Sequence, residues 1–169
     1  MISDSDLLYL RLAMELAEGG LNTTTPNPRV GCVIVRDGRV LGRGWHQWYG
    51  QAHAEVNAMA AAGGDVAGAT AYVSLEPCSI DSQTPPCCDA LIDAKIARVV
   101  VAMVDLDPRV NGAGLARLVK AGLSVENADL EEARAVNPGH LQRMLHGRPL
   151  IRVKIAGSLD GRSAMASGE

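Results

Sequence analysis

Three of the chain's four cysteines, Cys78, Cys87 and Cys88, fall in LEPCSIDSQTPPCCDALI, residues 75–92, where Pro77 and Pro86 directly precede two of them. Upstream, His53 and Glu55 stand two positions apart in HAEV. Thiolate is the metal-binding form of cysteine, and one imidazole nitrogen with two thiolates leaves a corner of a zinc tetrahedron open, as a catalytic rather than a closed structural site does. Two thiolates offset the metal's charge, so such a site acidifies water less than an all-histidine one. A nearby proton acceptor then matters more, and Glu55, on the same helical turn as His53, suits that task. Cys88 competes with Cys87 as the ligand, although neighbours at a helix start point to different sides.

To meet, these groups need two loop-to-helix junctions side by side. HAEVNAMAAAG (53–63) is alanine-rich and ends at a glycine pair, which predicts a helix opening at His53. PCCDALIDAK (86–95) predicts another, opening at Cys87. Helix starts favour thiolates through their free N–H groups and positive dipole end. Around them, apolar spacing of three and four predicts a helix over 6–18, β-branched runs predict strands over 30–35 and 39–45, and Asp37-Gly38 predicts the tight hairpin between them. Strands over 69–75, 97–105 and 123–127 alternate with helices over 86–95 and 114–122. A last helix is expected over 129–147, interrupted near Pro138. This order implies an α/β fold, a mixed sheet between helical layers, with residues 1–147 as one domain. LIRVKIA (150–156) predicts a further strand, and 148–169 reads as the start of a second, truncated domain or an extension.

Composition narrows the partners. With 169 residues, 47% of them hydrophobic, the chain can build a core without staples. A net charge of −3 with interspersed signs argues against nucleic acid and against a membrane surface, and favours a small substrate. The acidic, amphipathic N-terminus is no secretory signal and no apolar run reaches about 18 residues, so a cytoplasmic protein is expected. In that reducing compartment a disulfide is disfavoured and clustered cysteines point to metal or chemistry. Homo-oligomerisation is left open.

H-x-E followed by P-C-x-x-C is the signature of zinc nucleobase deaminases, of which this chain has the first half intact and the second widened, with eight residues between Cys78 and Cys87. HAEV, LEPC, TPPC and DALI, together with NPRVGCVIV, GRGWH, GATAYVSLEPCS, RVVVAMVD and GRPLIRVKIAGSLDG, resemble the deaminase domain of the bifunctional riboflavin-biosynthesis proteins, the RibD family. The resemblance implies a cytidine-deaminase-like three-layer α/β/α sandwich on a five-stranded mixed sheet. It implies hydrolytic deamination of 2,5-diamino-6-ribosylamino-4(3H)-pyrimidinone 5′-phosphate, an aminopyrimidine, with Zn2+ as cofactor. By similarity His53, Cys78 and Cys87 are the ligands, Glu55 the proton shuttle, and Asn27 and His46 substrate contacts. Related readings are a deaminase of another aminated heterocycle and a non-catalytic, zinc-stabilised partner subunit.

Plainer roles compete for several residues. Asn27, between Pro26 and Pro28, suits a turn, and Cys32 suits a small buried side chain. His140 and His146 are expected on a solvated face. Between its cysteines the family usually carries Ser-His-x-Gly-Arg or Lys, whereas this chain has Ser79-Ile80-Asp81-Ser82-Gln83. A cation at the place of Gln83 would suit a substrate phosphate, so Gln83 is a candidate substrate contact and its neutrality a question about specificity. Gly38, Gly42 and Gly44, lying in and around a hairpin, form no phosphate cradle.

Overall fold

Ser3 starts the first helix. Its hydroxyl accepts the Asp6 N–H at 3.2 Å while the Asp6 carboxylate accepts the Ser3 N–H at 2.8 Å, a reciprocal cap for α1 (Asp4–Ala17). In this computed structural model, which describes residues 1–81, 83–159 and 161–164, Leu10, Ala13, Met14 and Ala17 line the buried side of α1. Ser82 of the inter-cysteine loop and part of the expected appendage, Asp160 and 165–169, lie outside the described residues.

The expected hairpin forms β1 (Gly31–Arg36) and β2 (Arg39–Trp45), antiparallel, with Asp37 and Gly38 at φ 52° and 72°. Two consecutive positive φ values are what a right-twisted two-residue hairpin needs. β3 (Thr70–Val73) pairs antiparallel with β1, while β4 (Arg98–Val101) and β5 (Ser124–Asn127) extend the sheet in parallel, giving the order β2-β1-β3-β4-β5. Helices α2 (Ala54–Ala61), α3 (Cys87–Asp93) and α4 (Ala113–Lys120) are the crossovers, and a 3-10 turn (Glu131–Ala135) leads to α5 (Pro138–His146). Pro138 breaks the expected last helix but suits its second half, because the first helical position needs no N–H.

Alternation along the strands produces the layers. Val33, Val35, Tyr72 and Val100 join Leu10, Met14 and Leu141 in one core, under α1 and α5. Cys32, Ile34, Ala71, Val73, Val99 and Val101 join Ala54, Ala58, Leu91 and Leu118 in the other, under α2, α3 and α4. The sandwich is therefore three-layered with a mixed five-stranded sheet, as expected. Burying each large aliphatic side chain there contributes about 1.5–3 kcal/mol.

Gly42 and Gly44 set the position of α2. A Cβ on Gly44 would stand 2.3 Å from the Ala58 nitrogen and 2.6 Å from the Ala54 oxygen, and one on Gly42 2.1 Å from the Ala58 oxygen. Helix backbone thus rests on strand backbone, and the N-terminus of α2 is held at the end of β2.

Two expectations need correction. The strand predicted over 97–105 ends at Val101, and the chain from Ala102 leaves the sheet to wall the site; its buried look reflects that wall. No strand forms over 150–156, where Ile151, Val153 and Ile155 are 78%, 78% and 84% exposed. β propensity expresses packing against a neighbouring strand, and no described strand lies beside this run.

Candidate active site

His53 is the N-cap residue of α2, and Cys87 is the first residue of α3, entered from Pro86. Cys78 lies on the loop that leaves β3, and the Cys87 N–H donates to its sulfur at 3.3 Å. His53 Nδ1 stands 3.2 Å from Cys87 Sγ and 3.5 Å from Cys78 Sγ, and one donor atom from each residue falls within 4.8 Å of the others. Tetrahedral zinc with Zn–S about 2.3 Å and Zn–N about 2.0–2.1 Å separates its ligand atoms by roughly 3.3–3.8 Å, so two thiols and an imidazole at these spacings fit that ion. The Cys87 thiol, the His53 ring and the Cys87 N–H pull the Cys78 thiol down to about 4, and the same shared proton pushes Cys87 well above the usual thiol range. Cys78 draws His53 upward. Cys88, the competing ligand, turns away: its thiol donates to the Pro77 and Gly114 carbonyls, is fully buried in the α3 core, and is pushed up to about 12 by burial. Cys32 is likewise core.

Glu55 is 2% exposed yet lines the cavity of about 220 Å³ that also meets His53, Cys78, Asn27 and His46. Burial first, and Cys78 second, push its carboxyl above the ordinary range, toward a group that holds and releases a proton. Across the cavity, His46 Nδ1 lies 3.2 Å from the Ala52 carbonyl and must carry the hydrogen there, so its Nε2 accepts from the Asn27 amide nitrogen at 3.4 Å. The Asn27 amide oxygen is left for a ligand's N–H. Burial lowers the His46 pKa and so favours this neutral tautomer. The His46 and His53 rings meet edge to face, with centroids 4.8 Å apart.

Gln83 is placed differently. It is exposed, its amide donates to the Tyr49 hydroxyl at 2.7 Å, and it is not among the residues lining this cavity. His140 is corrected as well. It leaves the solvated face to donate from Nε2 to Asp105 at 2.9 Å with its side chain 7% exposed, whereas His146 is exposed as expected. Sequence reasoning also missed Glu76, whose carboxylate accepts the N–H groups of Asp105, Gly112, Gly114 and Leu115 and so fastens the 105–112 loop and the start of α4 beside the site. Its signal was a lone carboxylate at the buried end of an apolar run.

The model of the cytidine and deoxycytidylate deaminase zinc-binding region matches residues 3–103. Over 165 residues the chain is 54% identical to the riboflavin biosynthesis protein RibD of Escherichia coli, covering 97% of this chain and 45% of that one. It is 45% identical over 146 residues to the diaminohydroxyphosphoribosylamino-pyrimidine deaminase of Buchnera aphidicola, covering 86% of this chain and 99% of the relative. Acinetobacter baumannii RibD superposes with a TM-score of 0.89 at 50% identity, covering 98% of this chain and 47% of that one. The chain belongs to the zinc-binding cytidine and deoxycytidylate deaminase family and, within it, to the RibD deaminases. It spans about half the length of the RibD relatives it matches. Among the described residues no helix is long and apolar enough to cross a membrane.

Proposed function

We propose that the chain hydrolytically deaminates 2,5-diamino-6-ribosylamino-4(3H)-pyrimidinone 5′-phosphate, with His53, Cys78 and Cys87 holding zinc, Glu55 moving protons, and Asn27 and His46 orienting the ring. The observation that carries this reading is the meeting of three metal-donor atoms within 4.8 Å beside a buried carboxylate in one cavity. Zinc held there supplies Lewis acidity, which lowers the pKa of a water and polarises the reacting centre. Glu55 takes one proton from the water as its oxygen joins the amine-bearing ring carbon, and delivers it to the adjacent ring nitrogen. The water's second proton reaches the amine, which leaves as ammonia, and the ring keeps the oxygen as a carbonyl. The Asn27 oxygen accepts a ring or amine N–H, and the proline on each side fixes its approach. Gln83, fastened to Tyr49 and absent from the cavity lining, takes no part in this reading. Residues 1–147 carry this chemistry, and the segment from 148 belongs to a separate unit or extension.

The name of the Buchnera relative, of which the chain covers 99%, supports this substrate. Ammonia release from a panel of aminopyrimidines, each with and without the 5′-phosphate, tests it, alongside zinc quantification. Turnover of the ribosylamino pyrimidine is the expected result, and a zinc-replete protein that deaminates only some other heterocycle would overturn it.

A further inference from the structure

The cavity at the metal-donor group shares Pro26, Asn27, Pro28, His140 and Arg143 with a second one of about 450 Å³, between the 21–29 segment, the start of α5 and residues 149–152. Charge separates the two. Glu55, Glu76, Asp105 and Asp107 line the first, where Arg109 is paired with Asp107 at 2.5 Å, whereas no described Asp or Glu lines the second, which carries Arg29, Arg143 and Arg152 in a chain of net charge −3. Arg29 is engaged elsewhere, paired with Glu18 at 2.5 Å and donating to the Val136 carbonyl. Arg143, on the border shared by both cavities, has only a 3.4 Å contact to the Pro26 carbonyl, and Arg152 has no ion pair among the described residues.

We propose that this second cavity receives the phosphate of the substrate, with Arg143 as its principal contact and Arg152 as a second. The inference rests on the phosphorylated ribosylamino pyrimidine being the substrate. With its amine turned toward the metal-donor group and Glu55, that molecule must send its sugar-phosphate arm out of the ring cavity. In the first cavity acidic groups outnumber cations and Arg109 is already committed to Asp107, so a phosphate dianion is disfavoured there, whereas guanidinium forks without a carboxylate partner bind it well. The inter-cysteine loop supplies no such cation: Gln83 is neutral, donates to Tyr49, and lines neither cavity. The arm therefore turns toward α5, and helix α5 performs the task for which the loop would otherwise need a basic residue.

The test is the ratio of kcat/KM for phosphorylated over dephosphorylated pyrimidine, measured on the zinc-loaded full chain. Each ratio comes from one preparation, so losses of folded or metallated protein cancel. Arg143→Gln should lower it about ten- to a hundredfold, the size of one charge-assisted contact. Arg143→Lys should keep part of it, since the charge stays while the fork is lost. An unchanged ratio in Arg143→Gln, or a larger fall in Gln83→Ala, would overturn the proposal. Ribose 5-phosphate, titrated calorimetrically into wild type and Arg143→Gln, separates this inference from the substrate assignment. Arg143-dependent binding without deamination of either pyrimidine would sink the assignment and leave the anion site standing. Equal binding to both proteins would sink the anion site whatever is deaminated.

Discussion

The two ends of the inter-cysteine segment and its middle obey different constraints. Cys78 and Cys87 are fixed by β3, by the first turn of α3, by a 3.3 Å hydrogen bond between them and by the Cys88 N–H bound to the Cys78 carbonyl at 3.2 Å. Between them, Asp81 and Gln83 are exposed and the Gln83 side chain is tied to Tyr49. The ends cannot vary without losing the metal-donor geometry, whereas the exposed Asp81 and Gln83 can change residue type at little cost and Ile80, which lines the cavity, stands between these two cases. The ligand positions thus keep the family pattern, and the departures from it, at Ile80, Ser82 and Gln83, all fall between them.

The sharpest way to break this contrast is at the adjacent cysteines. Cys87→Ser should remove nearly all zinc and all deamination, whereas Cys88→Ser should keep the zinc and cost about 1 kcal/mol of stability through its buried neighbours. Metal analysis of the two purified variants decides, and zinc lost from Cys88→Ser but kept in Cys87→Ser would reverse the assignment. Next in size, Glu55→Gln should retain fold and zinc yet lose about a hundred- to ten-thousandfold in turnover, because the amide matches the carboxylate in shape and cannot carry a proton. Near-normal ammonia release by that variant would remove Glu55 from the mechanism. Gly44→Ala tests the support beneath the rigid end. Its new methyl meets helix backbone rather than a movable side chain, so denaturant unfolding should show a loss of about 3 kcal/mol or more. Smallest is Gln83→Ala, expected to change the preference for phosphorylated substrate by no more than about twofold, since the side chain makes one exposed hydrogen bond. A tenfold change there would give the middle of the loop a role its geometry does not suggest.

The metal-donor group was legible in the sequence because each ligand sits at a local signal: a proline before each cysteine, an alanine-rich helix after His53. The layers were legible for the same reason, since alternation within single strands sorts Val33 from Ile34 without knowledge of the partner. Features built across long separations were not. His140 sits among residues that read as solvated, and only its meeting with Asp105, 35 positions away, turns it inward. Glu76 is a lone carboxylate until the 105–112 loop and the start of α4 fold onto it. Arg143 approaches Pro26 across 117 positions, so no window of sequence contains the cationic cavity. LIRVKIA erred in the opposite direction, because alternation reports what a strand would bury and not whether another strand lies beside it.

Pro26-Asn27-Pro28 forms part of the wall of both cavities. With φ fixed near −65° by the ring on either side of Asn27, the backbone of this shared wall is stiffer than one without prolines. Should the ring and the anion of one ligand seat in the two cavities as proposed, the segment would work as a ruler. A tether one or two bonds longer or shorter would then seat only one end, so selection would act by length as well as by charge, and altering it would call for changes to the backbone of this segment instead of to the residues that touch the ligand.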